Sequence, residues 1–94
     1  MKNEIEGSKI KELKKLLDEA TFVPTKSHAK PIIQRLQIMS SNLGNEIDDY
    51  HLGKLSEAIG FAQEASGRVQ NKEHWIKSMN MSWYVFENGI KKIH

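Results

Sequence analysis

The residues best placed to do chemistry sit together in FVPTKSHAKP, from Phe22 to Pro31. Thr25, Lys26, Ser27, His28 and Lys30 offer two hydroxyls, two ammonium groups and an imidazole within six positions. Pro24 stops a preceding helix, Thr25 or Ser27 suits an N-cap, and Pro31 fits the first turn of a following helix. A helix N-terminus presents free N–H groups and a partial positive charge, which together seat a phosphate. Lys26 with Thr25 and His28 is therefore the candidate anion site. An ordinary capped helix start has the same makeup, so these residue types fit either role.

The remaining reactive residues form no constellation. His28, His51, His74 and His94 are scattered, and none stands at a metal-ligand spacing from another or from an acid. No metal or other cofactor is expected. Glu46, Asp48 and Asp49 make an acidic cluster. Acids in a first turn complement the helix dipole, so the cluster reads as helix initiation with Asn45 as the cap. No nucleophile–base pair and no phosphate-cradling glycine loop is present, and the protein is not expected to be an enzyme. The string HLGKLS, from His51 to Ser56, is similar to the phospho-accepting segment of helical phosphotransfer bundles. Leu55, however, stands where those proteins carry a small residue.

These groups must be positioned by helices. The stretch Leu52 to Arg68 reads as one helix, with Leu52, Leu55, Ile59, Ala62 and Ala65 on one face. Gly53, Gly60 and Gly67 form a second stripe with a period of seven. Three glycines give up on the order of 3 kcal/mol of helix stability against alanine. The stripe suits close packing of a neighbouring helix or the approach of a ligand. An earlier helix capped by Ser8 carries Ile10, Leu13, Leu16, Leu17 and Ala20 and ends near Phe22. A second runs from about Pro31 to Leu43 with Ile32, Leu36, Met39 and Leu43 as its seam, and Gly44 ends it. A last helix after Asn71 carries Ile76, Met79, Trp83, Phe86, Ile90 and Ile93 almost to the C-terminus. Trp83 and Phe86 read as core or interface anchors. The fold class is thus all-α, with about four helices, the last two forming a long antiparallel hairpin. No strand is expected. Residues 1–94 read as a single helical domain, with 1–7 frayed.

Length and composition set the outer limits. Ninety-four residues bury a modest core, which oligomerisation would enlarge. The chain has no cysteine, which excludes disulfides and thiolate metal sites. A formal charge of +2 with interspersed signs is not the footprint of a duplex nucleic-acid binder. No run reaches the length of a membrane span, and MKNEIEGSKI lacks the apolar core of a secretory signal. A soluble, cytoplasmic protein that does not engage the membrane is expected.

Leu52, Lys54, Leu55, Glu57, Ala58, Ala62, Ala65 and Arg68, with Phe61 in place of a usual tryptophan, carry a resemblance. This segment resembles the helical hairpin of the small phage anti-CBASS and anti-Thoeris sponges, which sequester cyclic nucleotide immune messengers without cutting them. The likeness covers about seventeen residues, and its more specific elements are Leu-x-Lys-Leu-x-Glu-Ala and the arginine ten positions beyond Ala58. It implies a homo-oligomer with a cyclic di- or trinucleotide at subunit interfaces, in the host cytoplasm if the chain is phage-encoded. Arg68 would then be the first phosphate contact, followed by Lys26, Thr25 and His28. No aromatic residue matches the family's base-stacking position. Phe22 and Tyr50 stand in for it on chemistry alone.

Two functions are therefore expected from sequence. The first is a non-catalytic protein that sequesters a cyclic oligonucleotide messenger. The second is a small helical interaction module, such as an inhibitor, an immunity protein or an assembly subunit.

Overall fold

The computed structural model describes residues 3–93. Four helices follow one another: α1 (Gly7–Phe22), α2 (Lys26–Asn42), α3 (Asp49–Ala65) and α4 (Lys72–Asn88). Two three-residue strands, β1 (Glu4–Glu6) and β2 (Lys91–Ile93), flank them. The fold is all-α, and α3 and α4 pack along their lengths as the expected hairpin, joined by only a few residues. No helix among the described residues is long and apolar enough to cross a membrane.

The apolar spacing of each helix becomes its buried face. Leu13 and Leu17 of α1, Leu36 of α2, Leu55, Ala58 and Ala62 of α3, and Phe86 of α4 are fully enclosed. Trp83 packs on Phe86 with ring centroids 5.2 Å apart, inside the protomer core. Both aromatics are therefore core residues and not surface anchors. Phe61 of α3 stacks on Trp75 of α4 at 6.0 Å, beside the short connection that joins the two helices.

The strands correct the expectation of a frayed N-terminus and of a chain without strands. β1 pairs with β2 in parallel, Glu4 opposite Lys91, Ile5 opposite Lys92 and Glu6 opposite Ile93. Ile5 is buried in the core, and that burial holds the segment in place. Glu4 opposite Lys91 sets one acid against one base across the ribbon. A run of three residues is too short to show a period of two, which is why the sequence pattern hides it. Met1, Lys2 and His94 lie outside the described residues. The ribbon also ends α4 at Asn88, so Ile90 and Ile93 are not on that helix as the heptad spacing suggests.

Helix starts differ from expectation for local reasons. α1 begins at Gly7 with no side-chain cap, so Ser8 lies inside it. α2 begins at Lys26 because Thr25 takes the cap, accepting a hydrogen bond from the His28 backbone N–H. Pro31 thus lies inside the helix, beyond the first turn, where its missing N–H leaves one carbonyl without an intrahelical donor. Asp48, not Asn45, caps α3, accepting from the His51 N–H at 3.0 Å. Asn71 stands at the cap of α4 but adopts φ 60° and makes no capping bond.

The glycine stripe divides. Gly67 lies beyond α3 with φ +75°, and a Cβ there would stand 3.1 Å from the Lys26 backbone nitrogen. A glycine is required at that point by both conformation and contact. Gly53 and Gly60 are inside α3 but face open space, with nothing within 4 Å of a Cβ. Neither serves the packing of another helix of this chain.

Candidate functional site

The chain segments that meet beyond the C-terminal end of α3 form the first candidate site. The α1–α2 connection brings Phe22, Val23 and Pro24 against Gly67, Arg68 and Val69, enclosing a broad surface depression of about 640 Å³. Phe22 is 80% exposed at its edge. Arg68 is exposed, and among the described residues it makes no ion pair and donates no side-chain hydrogen bond. Pro24 forces Val23 into an extended conformation, which ends α1 and leaves Phe22 pointing outward.

A helix C-terminus carries partial negative charge and four unpaired carbonyls, a poor neighbour for an anion. Two lysines offset it here. The Lys26 ammonium donates to the carbonyls of Gln63 at 2.8 Å and of Glu64 and Ser66 at 3.3 Å. The Lys72 ammonium donates to Ala65 at 2.6 Å and Gly67 at 2.9 Å. Lys26 is thus occupied by backbone oxygens, and so is Lys72, which sequence reasoning did not single out. Its only sequence signal is a lysine five positions after a helix-terminal glycine.

The other expected residues divide between the two ends of the molecule. Thr25 Oγ1 lies 2.6 Å from His28 Nδ1, so these two side chains satisfy one another at the start of α2. Gly67 lies against Thr25 and Lys26 at that helix start. Phe22 and Arg68 share the depression, but Thr25, Lys26 and His28 do not line it, and Lys26 lines a separate groove between α2 and α3. Tyr50 stands at the opposite end of α3, roughly 22 Å along its axis from Ala65. It therefore cannot join the same site within one protomer. There its ring meets the His51 imidazole edge-on, with centroids 5.1 Å apart.

That opposite end holds the second cluster. Asn3 Nδ2 donates to Asp48 Oδ1 at 2.7 Å, and the Asp48 N–H donates to Asn3 Oδ1 at 2.9 Å. His51 Nδ1 lies 2.8 Å from the Asp48 carboxylate, which accepts its proton. The His51 ring bond, then the His51 backbone N–H, and more weakly Asn3, hold the Asp48 carboxyl down at about 2, against an opposing effect of partial burial. Asn3 adopts φ 65°, and its backbone bonds Glu46 on one side and Lys91 on the other. The cluster therefore ties β1, β2 and the start of α3 together. The other edge of the imidazole, Cδ2 and Nε2, lies against Gly89. This arrangement is a clamp between chain segments, with the reactive imidazole nitrogen turned to backbone.

Among the described residues no three acids or histidines gather as a metal site would require. α4 turns an apolar strip outward: Ile76, Met81, Tyr84 and Val85 line a shallow groove of about 580 Å³, with Met81 and Tyr84 more than 60% exposed. No protein-family model, curated protein or solved structure matches the chain.

Proposed function

We propose that the protein is a non-catalytic binding protein that sequesters a cyclic di- or trinucleotide messenger and so blocks host anti-phage signalling. The observation that carries this reading is the pairing of an outward phenylalanine, Phe22, with a free guanidinium, Arg68, in one depression. An aromatic face stacks on a base, and a guanidinium grips a phosphate with two parallel hydrogen bonds. Because Lys26 and Lys72 neutralise the α3 carbonyls, Arg68 is left to act on a ligand. The central-helix likeness to the sponge family points to the same ligand class. The clamped His51–Asp48 pair gives no base poised over a ligand, which favours holding over hydrolysis.

The test is thermal unfolding with cyclic di- and trinucleotides, followed by recovery of the ligand. Binding to the folded state stabilises it by about 2.7 kcal/mol at a hundredfold excess over Kd. The midpoint should rise with one ligand class, the ligand should return intact, and Arg68→Ala should abolish the shift. No shift with any of them rejects the reading.

A second reading, a helical interaction module, is favoured by the outward apolar strip on α4. An exposed patch of this kind marks contact surfaces. It predicts a protein complex or homo-oligomer that Met81→Glu dissolves without unfolding the chain.

A further inference from the structure

The outward groove of α4 is lined by Glu73, Ile76, Lys77, Asn80, Met81 and Tyr84, with Val85 one residue beyond. These positions cover about three helical turns, roughly 17 Å of axis. The opposite face of the helix, with Met79, Trp83 and Phe86, is buried in the core. Every lining residue comes from this single helix, so the groove has one wall. A small ligand there would stay bathed in water, whereas a second helix would supply the missing wall.

The steps from Glu73 to Tyr84 are three, one, three, one and three, the same from either end. Positions recurring at three and four form the seam of paired helices. A strip unchanged on reversal can meet its own copy across a twofold axis, where residue i faces residue j and j faces i. With the helices antiparallel and the axis between Ser78 and Met79, three kinds of contact arise, each made twice. Ile76 faces Met81 of the second copy, apolar on apolar. Lys77 faces Asn80, and its ammonium can donate to the carboxamide oxygen. Glu73 faces Tyr84, and the phenol O–H can donate to the carboxylate.

The groups needed for these contacts are available. Glu73 and Lys77 are in no ion pair among the described residues. The Asn80 carboxamide oxygen accepts from Lys14 of α1 at 3.2 Å and keeps a second lone pair. One acid and one base leave the strip neutral, so two copies meet without net repulsion. Sliding the copies by about one turn in one direction sets Lys77 against Lys77 of the second copy. Sliding them the other way sets Met81 on the Asn80 carboxamide. The register centred between Ser78 and Met79 avoids both mismatches. We propose, resting on the interaction-module reading above, that the partner is a second copy of this chain, docked antiparallel along α4. One helix pair is small beside the roughly 1,200–2,000 Å² of stable interfaces, so the dimer should form reversibly with concentration.

The experiment is sedimentation equilibrium of the whole chain from micromolar to millimolar concentration. The expected mass rises from one chain toward two. Met81→Glu changes an exposed side chain, so it should keep the parent circular-dichroism melt in dilute solution and stay monomeric throughout. Cysteine crosslinking reads the register, and the chain has no cysteine of its own to interfere. Ile76→Cys and Met81→Cys proteins, mixed and oxidised, should link to one another. Either alone should not self-link, because its two thiols stand about 7.5 Å further apart along the axis, beyond disulfide reach. A chain that stays monomeric to millimolar concentration overturns the self-pairing and leaves the interaction-module reading to a different partner. A dimer that Met81→Glu leaves intact overturns it as well, and removes the α4 strip from that reading. Self-linking of a single variant in preference to the mixed product overturns the antiparallel register.

Discussion

The imidazole of His51 rests on the backbone of Gly89, and a Cβ at Gly89 would overlap the ring. The ring cannot swing aside freely, because its Nδ1 is held by the Asp48 carboxylate at 2.8 Å. Gly89→Ala should therefore destabilise the fold by about 1–3 kcal/mol, the range for overpacking. Gly89 has φ −86°, so the effect arises from the ring and not from the backbone. Denaturant unfolding of Gly89→Ala, His51→Ala and the double variant measures this. The double variant should recover most of the loss, with a coupling that additive sites would lack.

Asp48 makes the same clamp dependent on acid. Its folded carboxyl titrates near 2, below the ordinary value of 3.8, so the folded state binds this proton less readily than the unfolded one. The stability it supplies is complete above about pH 4 and is lost as the pH falls toward 2. Unfolding midpoints measured across that window should fall more steeply for the parent protein than for Asp48→Asn. Equal slopes would remove Asp48 from the account.

The three glycines of the central stretch should respond with opposite signs. Gly53→Ala and Gly60→Ala meet open space in helical backbone, and each should stabilise by roughly 0.5–1 kcal/mol. Gly67→Ala forces a Cβ into a left-handed conformation and against the start of α2. It should destabilise by about 1–2 kcal/mol from the conformation alone. Thermal midpoints of the three variants decide it, and a uniform response would show that the stripe acts as one feature.

Those signs also mark where the sequence was legible. The helices carry period-3.6 apolar faces long enough to read, and the buried faces follow them, as Leu13, Leu17, Leu55 and Ala62 show. Asn3 and Ile5 were not legible. A three-residue strand has no period, and the clamp joins residues 45 positions apart through a backbone turn that sequence does not display. Lys26 stood out by composition, but the partner of its ammonium did not. Its three carbonyls belong to a helix end almost forty residues away, brought to it by tertiary packing.

Lys26 and Arg68 share one end of the molecule, and their variants should separate structure from binding. Lys26→Ala removes the charge facing the Gln63, Glu64 and Ser66 carbonyls and should lower stability by about 1 kcal/mol, the scale of a charge at a helix terminus. Arg68→Ala removes a side chain with no intrachain polar partner among the described residues and should leave the unfolding midpoint within about 0.5 kcal/mol of the parent. Circular-dichroism melts of the two variants measure the first effect, and titration with a cyclic dinucleotide measures the second. The expected pattern is a destabilised Lys26→Ala and a stable Arg68→Ala that no longer binds. A stable Arg68→Ala that retains full affinity would move the ligand away from the Phe22 depression and leave the α2–α3 groove and the α4 strip as the surfaces to search.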